Sequence, residues 1–242
     1  MAILRTIVWF LYFFGSLIVM LPLMYRAKSL KAKGDYAACR KILDQYVHMW
    51  MSTLMKLAGC KVNVKGLENI PKDRAVVFVA NHQGDYDVPI TMTQLGAPPA
   101  MVAKIETRKI PMVRTWMELL DCIFIDRKDP RQAIGAMRDA GKILENGQNI
   151  VVFPEGTRSR GDHMNPFKTG VFKIPFHAGA PIVPVVIDGS YKIMEANHNL
   201  MCPGTVNLTV LPAIETKDLD RAAQKALPNQ IAEMIAKEKG LC

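Results

Sequence analysis

Beyond Gly59 the chain alternates short β-rich runs with helical ones, and this alternation restricts the fold more than any other feature of its 242 residues. The spacing predicts strands over 61–65, 75–80, 100–103, 122–125, 149–153, 181–187 and 205–210. Between them it predicts a short helix after Pro111 and a longer one over 131–145. In the longer helix Ala133, Ile134, Met137, Ala140, Ile143 and Leu144 share a face before Gly147. Strands interleaved with helices build an α/β layer structure, and several of these strands are continuous apolar runs, as in sheets covered on both sides. The expected fold class is therefore α/β: a mostly parallel or mixed sheet of about seven strands flanked by helices. No repeat, low-complexity tract or Gly/Ser/Pro-rich linker divides residues 60–242, which are expected to form one domain.

Residues 1–59 differ in character and are expected to form a membrane-associated helical pair ahead of that domain. Thr6 to Tyr25 carries no charge, and twenty residues at about 1.5 Å each span roughly 30 Å, the depth of a bilayer core. Arg5 and Arg26 bracket the segment, and no small-residue cleavage site follows it, so it is expected to stay attached. Pro22 could kink it, which leaves open whether it spans the bilayer or lies in the interface. Arg26, Lys28, Lys31 and Lys33 follow it against Arg5 and the amino terminus before it, an asymmetry that places the remaining chain on the cytoplasmic side. Tyr36 to Gly59 has the spacing of an amphipathic helix, with Leu43, Tyr46, Val47, Trp50, Met51, Leu54 and Met55 on one side and Gly59 as a stop. Packing against the domain and lying in the membrane interface are equal expectations for it.

The net charge of +9 calls for an anionic partner. Five scattered cysteines without a C-x-x-C pair form neither a disulfide framework nor a zinc site, and agree with a reducing compartment. Serine-hydrolase and dinucleotide signatures are absent, and the run from Gly135 to Lys142 has the wrong spacing for a P-loop.

Two polar strings follow apolar strands, at the strand ends where α/β sheets place ligands. The first is Asn81-His82-Gln83-Gly84-Asp85-Tyr86-Asp87. If Gly84 permits a tight turn, Asp87 can return to the His82 imidazole, fix its tautomer and leave the other nitrogen as a general base. The plainer alternative is a turn whose aspartate caps the next helix. The second string is Pro154-Glu155-Gly156-Thr157-Arg158-Ser159-Arg160, where an acid, a glycine and two arginines suit a phosphate or oxyanion, or a lipid head group.

Together the strings resemble the N-H-x-x-x-x-D and F-P-E-G-T-R blocks of the glycerolipid acyltransferase family. Phe124-Ile125-Asp126-Arg127 is similar to its G-x-x-F-I-x-R block, and Val183-Pro184-Val185-Val186 to its later V-P-V strand. The resemblance covers roughly residues 60–210. One position departs from it: Asp121 stands six residues before Arg127, where the family commonly has Gly.

The resemblance implies transfer of a fatty acyl group from a thioester carrier, acyl-CoA or acyl carrier protein, to the free hydroxyl of a lysophosphatidate. It gives His82 and Asp87 the catalytic roles, and Arg127, Glu155, Gly156, Thr157 and Arg158 the acceptor's phosphate and glycerol, with Lys104 as a further base there. Asn81 or the Gly156 amide are candidates for oxyanion support. No metal or cofactor beyond the acyl donor is expected, and no nucleic acid; the expected partners are membrane lipids and the donor. The rival readings are an acyltransferase on glycerol 3-phosphate or another lyso-lipid, a non-catalytic anionic-lipid binder, and a metal-dependent phosphohydrolase.

Overall fold

The structure, a computed structural model, describes residues 1–126 and 132–241. Three helices open it: α1 (Ala2–Val19), α2 (Leu21–Ala32) and α3 (Tyr36–Ala58). The uncharged stretch is broken after Met20, and Pro22 sits in the first turn of α2, where its missing N–H has no partner to lose. Asp35 caps α3 by accepting the N–H of Ala38, and α3 stops at Gly59 as its pattern predicts.

The sheet and its helices follow: β1 (Cys60–Lys65), β2 (Val77–Ala80), α4 (Asp87–Gln94), β3 (Ala100–Lys104), α5 (Val113–Leu119), β4 (Ile123–Ile125), α6 (Gln132–Glu145), β5 (Ile150–Val152), α7 (Lys173–Ala178), β6 (Ile182–Asp188), β7 (Gly204–Val210) and α8 (Arg221–Glu238). All seven expected strands are present. They form one mixed sheet in the order β1-β7-β6-β2-β5-β3-β4. β6, β2, β5, β3 and β4 run parallel, and β7 turns antiparallel to β6 and brings β1 beside it. The carboxyl ends of β2, β5, β3 and β4 therefore share one edge, and both polar strings start there.

Strand alternation divides the core into two layers. Val76, Phe78 and Ala80 point to a face covered by α1–α5, while Val77 and Val79 point to the opposite face, under α6–α8. Central strands buried on both sides explain why β2, β5 and most of β6 lack the alternation that β1 and β7 show. Ala136, Ala140 and Leu144 carry the inward face of α6; the expected contributions of Ala133 and Ile134 lie outside the described side chains.

α3 buries Cys39, Leu43, Val47, Trp50, Leu54, Met55 and Ala58, so it packs as a domain helix. α1 lies against it: Trp9 donates from Nε1 to the Leu54 carbonyl at 3.0 Å, and Trp50 Nε1 donates to Ser16 Oγ at 2.7 Å. Its other face leaves Ile3, Leu4, Ile7, Val8, Phe10, Leu11, Phe14, Ile18 and Val19 exposed. α1 is long and apolar enough to cross a membrane, and only 6% of its apolar window is buried by the rest of the chain.

Asp121, the departure from the family pattern, has φ 58°, the left-handed region in which glycine is at ease. Asp is among the few other residues that visit it readily, so the turn is kept. Its carboxylate accepts Lys31 Nζ at 2.7 Å, and Lys31 also donates to the Glu118 and Leu119 carbonyls, tying α2 to the end of α5.

Gly66, after β1, is the tightest glycine. At φ 78° a Cβ there would lie 2.1 Å from the Val210 carbonyl oxygen. Gly66→Ala is expected to destabilise the fold by about 2–4 kcal/mol, from left-handed strain plus overpacking against backbone. Denaturant unfolding of the two proteins side by side measures it; equal midpoints contradict the packing of β1 beside β7.

Candidate active site

The end of β2 leads directly into the first string. Asp87, the first residue of α4, is fully buried, and its Oδ2 accepts from three groups: His82 Nδ1 at 2.7 Å, the Gln83 N–H at 2.7 Å and the Gly84 N–H at 2.9 Å. The turn closes because Asp87 N–H donates to the Gly84 carbonyl. A proton on Nδ1 completes the hydrogen bond to Asp87 and leaves Nε2 as the basic nitrogen. Nε2 has no hydrogen-bond partner among the described residues, and 18% of the His82 side chain is exposed. Phe153, the last residue before the second string, stacks on the imidazole with ring centroids 4.3 Å apart and planes 22° apart. The imidazole is thus fixed by a ring on its face and a carboxylate at one nitrogen, the arrangement of a positioned general base.

The second string folds against the first. Ser159 N–H donates to the His82 carbonyl at 2.8 Å and Arg160 N–H to the Gln83 carbonyl at 3.0 Å. Glu155 is 2% exposed. Its Oε1 accepts the His82 N–H at 2.7 Å, and its Oε2 accepts both the backbone N–H and the side-chain amide of Asn165. Burial pushes its carboxyl pKa up, and the hydrogen bonds from His82 and Asn165 pull it back down. Glu155, expected to position an arginine or the glycerol of the acceptor rather than to touch phosphate, accepts protein N–H groups at both oxygens and braces the His82–Asp87 turn.

Two expected oxyanion donors are also in structural use. Asn81 is fully buried and its amide clips β2 to β6, donating to the Ile187 carbonyl and accepting the Ile187 N–H, each at 2.8 Å. The Gly156 N–H donates to the Phe153 carbonyl at 3.0 Å. Thr157 is exposed, and Lys104 is exposed at the end of β3, two strands from β2 on the same edge. Arg127 lies outside the described residues; the described chain reaches Asp126, beside the end of β4 on that edge.

Arg158 lies beside the His82–Asp87 turn. Its Nη1 pairs with the Asp85 carboxylate and lies 3.4 Å from Glu195 Oε1. Neither Glu195 nor Asn165 stands out in the sequence, and Gln83 and Phe153 stand within the two motifs without a role assigned to them. Gln83 is fully buried; its Oε1 accepts the Gly189 N–H and its Nε2 donates to the Gly161 carbonyl, tying the turn to the residues that follow β6 and the second string. Nothing in a single sequence marks such side chain to backbone bonds.

A family model described as Acyltransferase matches residues 61–188. A probable 1-acyl-sn-glycerol-3-phosphate acyltransferase of Mycoplasma pneumoniae is 34% identical over 196 residues, 76% of this chain and 73% of that protein. A 1-acyl-sn-glycerol-3-phosphate acyltransferase of Borreliella burgdorferi is 32% identical over 182 residues, 75% and 73% of the two chains. Among solved structures, the 1-acyl-sn-glycerophosphate (LPA) acyltransferase PlsC from Thermotoga maritima superimposes with a TM-score of 0.79 at 28% identity, over 99% of this chain and 97% of that one.

Proposed function

The chain belongs to the acyltransferase family that includes these 1-acyl-sn-glycerol-3-phosphate acyltransferases, and from that membership we propose that it moves a fatty acyl group to the sn-2 hydroxyl of 1-acyl-glycerol-3-phosphate, giving phosphatidate. It is an O-acyltransferase of phospholipid biosynthesis. The donor is a thioester, acyl-CoA or acyl carrier protein, and no metal or other cofactor takes part in the proposed mechanism. The observation that carries the reading is the His82–Asp87 pair, a clamped imidazole with its second nitrogen unengaged, beside an arginine at the carboxyl edge of a parallel sheet.

In this mechanism His82 Nε2 removes the proton from the acceptor hydroxyl as the oxygen attacks the thioester carbonyl. Asp87 holds the tautomer and stabilises the imidazolium that forms. The tetrahedral intermediate collapses, the carbon–sulfur bond breaks, and His82 returns its proton to the leaving thiolate. The acceptor supplies the hydroxyl that a serine hydrolase would carry itself, so no acyl-enzyme forms. Arg158 offers a planar charged donor to the acceptor phosphate, which fixes the hydroxyl against His82.

The chain is membrane-associated through α1. Its exposed apolar row beds into the leaflet that holds acceptor and product, and Arg26 and Lys28 on α2, with Lys33 at its C-terminal cap, meet lipid phosphates on the cytoplasmic side. The catalytic domain then faces the cytoplasm, where both thioester donors occur.

Purified protein in detergent–lipid micelles tests the reading. Lysophosphatidate and glycerol 3-phosphate compete for one labelled thioester, with and without a strong chelator. Label in phosphatidate, undiminished by the chelator, is the expected result. Label in an acylated glycerol 3-phosphate names the rival acceptor, and activity lost with the chelator overturns the metal-free mechanism.

A further inference from the structure

Arg158 is held by a device that the mechanism above does not use. Glu195 lies in the connection between β6 and β7, and 2% of its side chain is exposed. Its Oε1 accepts the Asp85 N–H at 2.7 Å and lies 3.4 Å from Arg158 Nη1. One carboxylate oxygen thus contacts the arginine and also holds the backbone of the arginine's other acidic partner. Oε2 is buried with no hydrogen-bond partner among the described residues. It presses against Gly84, where a Cβ would lie 2.6 Å away, so a glycine at that position lets the carboxylate in. Burial raises the carboxyl pKa and the Asp85 charge adds to the rise, with the Asp85 N–H, the Glu195 backbone N–H and Arg158 pulling the other way. Burying a carboxylate with an unsatisfied oxygen costs stability, and such groups persist where they serve a site.

Both acids engage Nη1. That leaves Nη2 and Nε, the other side of the guanidinium fork, without partners among the described residues, which is the geometry for a bidentate phosphate.

We infer that Glu195 is a positioning residue for the acyl acceptor: its carboxylate fixes Arg158 and the Gly84–Asp85 backbone so that the open side of the guanidinium receives the acceptor's phosphate beside His82. The inference rests on the reading that Arg158 meets that phosphate. Glu195 does not touch the reacting atoms, so its effect falls on acceptor binding and runs through the arginine.

Steady-state kinetics of the full chain in mixed micelles tests this, varying lysophosphatidate and the thioester separately for Glu195→Gln, Glu195→Ala, Arg158→Ala and the double variant Arg158→Ala/Glu195→Gln. Glu195→Gln is expected to raise the KM for lysophosphatidate about tenfold, the size of one loosened charge-assisted contact, with kcat within about threefold of wild type. The KM for the donor stays at its wild-type value, and the thermal midpoint falls by no more than the few degrees that one unsatisfied buried amide costs. The double variant is expected to be no worse than Arg158→Ala alone, because the two residues act as one unit. Glu195→Ala repeats the KM effect and also lowers the midpoint.

A wild-type KM for lysophosphatidate in Glu195→Gln overturns the inference if Arg158→Ala has a raised one. So does a fall in kcat with both KM values unchanged, which marks a merely structural role. Arg158→Ala with a wild-type KM overturns the phosphate reading of the arginine, and the inference with it.

Discussion

His82→Ala is expected to lose turnover by roughly a hundred- to ten-thousand-fold, the contribution of a positioned general base. The same change removes a ring stacked on Phe153 and one hydrogen bond to Asp87. That costs about 1–2 kcal/mol of stability, a shift of a few degrees in the thermal midpoint. The fold survives because Asp87 Oδ2 keeps its two backbone donors, Gln83 and Gly84. Turnover and thermal unfolding measured on one preparation separate the two effects. A well-folded His82→Ala protein within about tenfold of wild type contradicts the role given to the imidazole, and retained lipid binding with no turnover in either protein favours the non-catalytic lipid binder.

Asp87→Asn is the second large effect, and it isolates charge from shape. All three hydrogen bonds converge on Oδ2, while Oδ1 is buried without a partner. An asparagine keeps the three bonds by placing its oxygen at the Oδ2 position, which puts its NH2 at the empty Oδ1 position. The geometry of the turn is then retained at about 1–3 kcal/mol for the unsatisfied amide. What is lost is the negative charge that stabilises the imidazolium, so turnover is expected to fall by about a hundredfold or more. Asp87→Ala differs in kind: it leaves the buried Gln83 and Gly84 N–H groups without an acceptor, and both activity and thermal midpoint fall. A fully active Asp87→Asn enzyme contradicts electrostatic support of His82 and reduces Asp87 to a helix-capping group.

The seven strands were legible because β1 and β7 alternate polar and apolar residues while the others are short apolar runs bounded by polar or turn residues, a pattern that burial on both faces leaves uninterrupted in β2, β5 and β6. Their order was not, since nothing local in Val183 or Phe78 announces that β6 lies beside β2. α8 escaped notice because Pro228 interrupts a helical pattern whose inward residues, Leu227, Ile231 and Ile235, are otherwise regularly spaced. His82 and Asp87 were readable as a pair because one tight turn spans them. Glu155 and Asn81 were readable as site residues, but their hydrogen bonds within the protein were not. Their partners are the backbone N–H of His82, the backbone and side-chain amide of Asn165, and the main chain of Ile187, and bonds to main chain leave no trace in residue types. Glu195 sits 110 residues from the Asp85 backbone it holds, so only the folded sheet edge brings it to Arg158.

The central claim is that the acceptor's own hydroxyl is the nucleophile, activated by His82 without an acyl-enzyme. The most direct measurement is a single-turnover reaction of purified wild-type protein with a thioester labelled in its acyl carbonyl, run first without acceptor and then with 1-acyl-glycerol-3-phosphate. The account predicts no label on the denatured protein in either run, and in the second run label in phosphatidate that an sn-2-specific lipase releases. Label bound to the protein before acceptor is added, and passed to phosphatidate afterwards, contradicts it.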